Sequence, residues 1–229
     1  MPYGNDDEAL SRELEVAAQF ERMYADALLA GVPSDAEAVI REAVDAGLGE
    51  AVIDDHVIRP ALQLVGDLWE AGEITVAEEH MATSISMRVV TLQREMFRLA
   101  RQRTSHSVLL AAAEGEQHVV GLEMAASLIL HAGYEVRFYG ADLPVAEIAR
   151  LVDVHRPAVV GFTTATRFTA ERLPDAFAAV HGTDRGVGIV VGGLGAEGSW
   201  TAGWDVAVCD HATDAVAHVD ALVRRAAHN

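Results

Sequence analysis

The apolar residues of this 229-residue chain change their period once, near Thr104, and that change divides it into two kinds of structure. From about Glu8 to Arg103 they recur every three to four positions, as in Leu10, Leu14, Ala17, Phe20, Met23 and Leu28, and later in Met81, Ile85, Val89, Leu92, Met96 and Leu99. That spacing puts them on one stripe of a helix. Breaks fall at AGVPSD (30–35), GLGE (47–50) and EAGEIT (70–75), so the pattern predicts four helical segments joined by short connections. Short connections make neighbouring helices antiparallel, and the expected arrangement of residues 1–103 is a four-helix bundle.

After Thr104 short β-branched runs alternate with helical stretches: SVLLAAA (107–113), YEVRFYG (134–140), PAVVGFTT (157–164), GVGIVVGG (186–193) and WDVAVCD (204–210). Five such runs with helices between them predict an α/β domain over 104–229, a five-stranded parallel sheet covered on both faces. Ligands of such sheets bind beyond the carboxyl ends of the strands. EGEQHVVG (114–121), FTTAT (162–166) and VGGLGAEG (191–198) all fall at that edge.

Charge narrows the function classes. With 35 Asp and Glu against 17 Lys and Arg the formal charge is −18, which repels a phosphate backbone, and the basic stretch RLARQR (98–103) is short. Direct nucleic-acid binding is not expected. No apolar run approaches the roughly 18 residues of a membrane span. The opening MPYGNDDEAL lacks the features of a secretory signal and Cys209 is the only cysteine, so a cytoplasmic protein without a disulfide framework is expected.

His118 stands between two acidic residues and Gly121 at the end of the first predicted strand. Glu116, two residues earlier, is placed to accept from one ring nitrogen, which fixes the tautomer and makes the other nitrogen more basic toward a metal. Gly121 leaves room for a bulky ligand, or serves as a packing glycine. No second histidine or cysteine lies at zinc spacing, and a structural zinc needs about four protein ligands; a metal already held in a macrocycle needs one. GLGAEG (193–198) fits G-x-G-x-x-G, yet it follows the fourth predicted strand and lacks the acidic partner of a dinucleotide site. Its glycines instead allow a flat or elongated group to slide between strand ends.

Glu116-Gln117-His118-Val119-Val120-Gly121, Thr163-Thr164-Ala165 and Gly192-Gly193 resemble the D-x-H-x-x-G, S-x-L and G-G pattern of the cobalamin-binding domain shared by methionine synthase, corrinoid methyl carriers and cobalamin photoreceptors. Between the three blocks lie 41 and 26 residues, spacings that agree with that family. The resemblance implies a flavodoxin-like, Rossmann-like doubly wound domain in which His118 coordinates cobalt from below. Thr163 would offer its hydroxyl to the displaced nucleotide tail, with Ala165 beside it, and Gly192, Gly193 and Gly195 would leave that tail room. Glu116 replaces the usual aspartate and Ala165 the usual leucine.

In WEAGEITVAEEH, nine residues separate Trp69 from Glu79-His80; Gly72 ends one predicted helix and Thr75 with Glu78 makes a capping box that starts the next. A flat aromatic beside a carboxylate and an imidazole suits a nucleoside, and a core tryptophan with a solvated Glu-His pair is the plainer reading. W-x9-E-H resembles the motif of adenosylcobalamin-dependent photoreceptors of the carotenoid-repressor type, where it surrounds the upper adenosyl group. That resemblance implies a sensor, not an enzyme, in which green light breaks the cobalt-carbon bond and changes domain packing. It further implies a homo-oligomer whose assembly responds to light and signals to an unidentified protein partner. Members of that type carry a MerR-like DNA-binding domain ahead of the helices, and this sequence starts at the helices. They also place a histidine after the tryptophan, where this chain has Glu70; His80 and His56 are the candidates to replace it. Relatives that add a bilin such as biliverdin look similar, and Cys209, on a predicted strand, is a poor attachment point. A corrinoid methyl carrier of a methyltransferase system is the alternative.

Overall fold

In the computed structural model residues 4–97, 103–196 and 199–226 are described. Contacts divide the chain into Met1–Arg98 and Leu99–Asn229, while the apolar period changes at 103/104.

The first unit is helical: α1 (Gly4–Ala30), α2 (Pro33–Asp45), α3 (Glu50–Ile53), a π turn (Asp54–Ile58), α4 (Arg59–Glu70) and α5 (Val76–Met96). α3, the π turn and α4 follow one another without a break, so residues 50–70 act as one rod with a single irregular turn. α1 packs on α2, α4 and α5, and both α2 and α4 pack on α5. The predicted periodic positions Ala17, Leu28, Ile85 and Val89 are buried in the interior, together with Tyr24, Ile40, Ile53, Ile58 and Val65. Each large side chain taken out of water in this way stabilises the unit by about 1.5–3 kcal/mol. Leu10 and Met23, from the same predicted stripe, are exposed. Two polar pairs are embedded in the apolar interior: the Tyr24 hydroxyl donates to Ser86 Oγ at 3.0 Å, and Gln93 Nε2 donates to Asp54 Oδ1 at 2.9 Å.

The turn between α4 and α5 forms as its sequence predicts. Gly72 takes φ +74, which a residue with a Cβ rarely adopts, and its N–H donates to the Trp69 carbonyl at 2.9 Å. Thr75 Oγ1 accepts from the Glu78 N–H at 3.3 Å while Glu78 Oε2 accepts from the Thr75 N–H at 2.7 Å, completing the capping box.

The second unit is the expected parallel sheet. Its elements are β1 (Ser107–Ala112), α6 (Val120–His131), β2 (Glu135–Gly140), α7 (Val145–His155), β3 (Val159–Thr163), α8 (Arg167–Ala170), α9 (Leu173–Thr183), β4 (Gly188–Gly192), a 3-10 turn (Ser199–Thr201), β5 (Ala207–Cys209) and α10 (Asp214–Ala226). The strand order is β2-β1-β3-β4-β5, with every pair parallel. Successive strand residues point to opposite faces. Leu109, Ala111, Val160 and Phe162 therefore pack with Ile148 of α7 and Phe177 of α9, while Val108, Leu110 and Val159 pack with Leu122 and Ile129 of α6 and Val219 of α10. Burial on both faces is why these strands read as unbroken apolar runs. The chain leaves β1 in one direction to β2 and in the other to β3, so the loops after β1 and β3 flank the switch point where doubly wound sheets bind ligands.

Candidate functional site

The loop after β1 carries Glu114, Glu116 and His118, and the structure gives the two acids different tasks. Glu114 Oε2 accepts from the Val145 N–H at 2.9 Å, at the first residue of α7. Glu116 is 1% exposed, and Oε1 takes both the His118 backbone N–H at 2.8 Å and His118 Nδ1 at 2.5 Å. Its Oε2 accepts from the Ala165 N–H at 2.6 Å and from the Thr169 hydroxyl at 2.7 Å. Burial opposes the charge on this carboxyl. The His118 ring, the Ala165 N–H, the His118 N–H and the Thr169 hydroxyl outweigh that opposition and lower its pKa from the usual 4.5 to about 2. An ionised carboxylate only accepts, so Nδ1 carries the proton and Nε2 the lone pair. The His118 side chain itself is 63% exposed.

The glycines and threonines shape the rest of this edge. Thr163, 7% exposed, ends β3 opposite Gly192 of β4. Gly193 has φ +97, and a Cβ there would collide with the Thr164 carbonyl and stand 3.0 Å from Thr163 Oγ1. A Cβ on Gly195 would lie 2.8 Å from the Thr166 carbonyl oxygen, and the Gly195 N–H donates to the Thr164 carbonyl at 2.9 Å. Only glycine lets the loop after β4 lie this close on the loop after β3. At Gly121, in the first turn of α6, a Cβ would meet no described atom within 4 Å, so packing among the described residues does not demand a glycine there.

In the helical unit Trp69 lies in the last turn of α4 and Glu79 and His80 at the start of α5, so the hairpin brings them to the same end. Trp69 is 46% exposed. Glu79 Oε1 accepts from the Thr83 hydroxyl at 2.9 Å, and Glu79 Oε2 lies 3.2 Å from His80 Nδ1. His56 sits in the π turn, about 20 Å along the rod from Trp69 at 1.5 Å per residue. Of the two histidines considered in place of Glu70, only His80 shares the hairpin end.

Cys209 is buried at the end of β5, and burial together with Asp214 and Asp210 pushes its thiol up to about 12. A thiol held protonated in this way is a poor nucleophile for attaching a chromophore. Among the described residues no group of three or more His, Cys, Asp or Glu is placed to hold a metal ion. Sequence reasoning missed Thr169 and the Ala165 N–H, the groups that fasten Glu116 from the far side. Thr169 lies 53 positions beyond Glu116, and no motif links the two.

Residues 106–220 match the family model described as B12 binding domain, and residues 21–92 match a second model with the same description. The HTH-type transcriptional repressor CarH of Myxococcus xanthus is 35% identical over 144 residues, covering 62% of this chain and 47% of the repressor, so the match spans less than half of that relative's length. Trimethylamine corrinoid protein 2 of Methanosarcina acetivorans is 29% identical over 202 residues, covering 82% of this chain and 89% of the relative. The solved structure of the Methanosarcina barkeri monomethylamine corrinoid protein superposes with a TM-score of 0.75 at 19% identity, covering 89% of this chain and 97% of that one, a likeness of fold.

Proposed function

The chain belongs to the B12-binding domain family, and from that premise we propose that it is a light sensor that binds adenosylcobalamin through His118 and signals through its assembly state. The observation that carries cofactor ligation is the Glu116–His118 pair: a buried anion fixes Nδ1–H, which leaves Nε2 of an exposed ring to donate its lone pair to cobalt. Open space at Gly121 fits a bulky macrocycle, whereas the absence of a side chain at Gly193 and Gly195 is used by the contact between the loops after β3 and β4. Thr163 would meet the displaced nucleotide tail. Trp69 would stack on the adenosyl group while Glu79 and His80 bond its hydroxyls.

Bound adenosylcobalamin supplies a cobalt-carbon bond that green light breaks. This chain's residues hold the cofactor and sense the loss of its upper group. Loss of the nucleoside on illumination would take from Trp69 and the Glu79-His80 pair the surface they would contact. A ligand shifts an equilibrium only as far as it binds two states differently, and this hairpin would make contacts in one state alone. The 35% identity to a repressor and the spacing of Trp69 from Glu79-His80 support this reading. The test is light scattering on the full chain loaded with adenosylcobalamin, run in the dark and after green light. A changed oligomer after illumination supports the sensor. Identical profiles, with the cobalt-carbon absorbance bleached, refute coupling of light to assembly.

The second reading is a corrinoid methyl carrier, favoured by the longer match to the trimethylamine corrinoid protein. It predicts equal affinity for methylcobalamin and adenosylcobalamin, because a methyl group makes no use of a nucleoside pocket.

A further inference from the structure

Among the described residues of the sheet unit, the most exposed large apolar side chains are Leu194 at 71%, Phe168 at 67% and Val154 at 62%. Val154 lies near the carboxyl end of α7, at the sheet edge away from His118. Phe168, in the short helix α8 that follows β3, and Leu194, on the loop after β4, share the ligand edge. Single exposed apolar residues are ordinary, whereas two on segments fastened together at a ligand edge point to an occupant.

Phe168 is tied to the His118 loop, and Leu194 to the segment after β3 that carries Phe168. A Cβ on Gly115 would stand 3.7 Å from Phe168 Cε1, so the Phe168 ring lies along the loop three residues before His118. The next residue, Thr169, bonds Glu116 and so shares the anchor of the imidazole. Leu194 stands between Gly193 and Gly195, whose backbones rest on Thr164 and Thr166. Arg167, next to Phe168, lies 5.9 Å over the Trp200 ring, a second tie between the two segments.

We propose that Phe168 and Leu194 form an apolar lip beside His118 that seats the corrin macrocycle and contributes affinity separately from the axial bond. The inference rests on the cobalamin reading and adds to it which side chains grip the ring. A single histidine nitrogen would hold a flat macrocycle at one point, and two apolar side chains that lose water against it would restrict its tilt. Removing a side chain of this size from such a contact weakens binding roughly tenfold or more.

The experiment titrates the full chain with hydroxocobalamin and with cobinamide, which has the macrocycle and no nucleotide tail. The variants are Phe168→Ala, Leu194→Ala and the double substitution. Because both side chains are mostly exposed, the fold is expected to survive, and Phe168→Leu, which keeps apolar area, is expected to retain most of the affinity. The expected result is roughly tenfold weaker binding for each single variant with both corrinoids, and an unchanged histidine-ligated cobalamin spectrum at saturation. His118→Ala, by contrast, changes the spectrum. Unaltered affinity in the double variant overturns the lip. A loss confined to cobalamin also overturns it, since the two residues would then serve the tail. Wild-type protein that binds neither corrinoid overturns the cofactor reading itself, and the lip with it.

Discussion

Glu116 decides what His118 can do. Four hydrogen bonds hold it ionised inside the protein, and it spends one oxygen on the imidazole and the other on the Ala165 N–H and the Thr169 hydroxyl. The same carboxylate thus sets the tautomer and the orientation of the histidine. Loss of such an outer partner typically lowers metal affinity 10- to 100-fold. Glu116→Gln keeps the shape and removes the charge, so the ring loses its fixed tautomer. Cobalamin affinity is expected to fall by roughly that factor, with partial conversion to a spectrum lacking histidine ligation, as read by absorbance titration. An affinity and spectrum equal to wild type would show that Glu116 does not act through His118.

At the scale of elements, the π turn of Asp54–Ile58 has a chemical consequence. Asp54 is 1% exposed, and its Oδ2 and the Gln93 Oε1 are buried without a hydrogen-bond partner among the described residues. Burial pushes the Asp54 carboxyl well above the usual range; Glu50 adds to the rise, the Gln93 hydrogen bond opposes it, and Asp55 adds again. Tyr24 of α1 faces the same interior. A proton on Oδ2 makes that buried atom a donor instead of an uncompensated charge. A group whose folded pKa is raised contributes stability that is complete below the unfolded value of 3.8 and is lost as pH rises through the folded value. The slope is at most about 1.4 kcal/mol per pH unit for one proton. Thermal melts across pH are therefore expected to show wild type losing stability toward alkaline pH relative to Asp54→Asn, whose amide supplies the donor at every pH. Parallel curves for the two proteins would show that Asp54 is already ionised at neutral pH. In the α4–α5 hairpin, Trp69→Ala is expected to cut the preference for adenosylcobalamin over methylcobalamin roughly tenfold, since stacking on an aromatic is worth about 1–3 kcal/mol per base. An undiminished preference would remove Trp69 from the nucleoside site.

For the whole molecule the charge of −18 carries most weight. One relative is a transcriptional repressor, and the match covers 47% of it, so likeness to that protein does not bring DNA binding with it. All 17 basic residues are arginines, set against 35 acids, a balance that repels a phosphate backbone at long range. Electrophoretic shift assays with duplex DNA, in the dark and after light, are expected to show no retardation at salt concentrations of roughly 50 to 200 mM. Salt-dependent retardation would reveal a basic surface that the overall charge conceals. Among the described residues no helix is long and apolar enough to cross a membrane.

Local patterns were legible without coordinates because their causes are local. The three-to-four period of the first half, the five β-branched runs, the Thr75–Glu78 box and the Glu116–His118 pair all arise between residues a few positions apart. The strand order was not legible, since a run of valines does not say which neighbour it pairs with. Tertiary structure alone brought Thr169 to Glu116 across 53 positions and laid Gly193 on the Thr164 carbonyl. It also opened the π turn inside what the sequence presents as a regular helix, and left Phe168 and Leu194 in solvent at the ligand edge. Such features depend on strand register and helix packing, which bring distant residues together and leave no periodic trace in the chain.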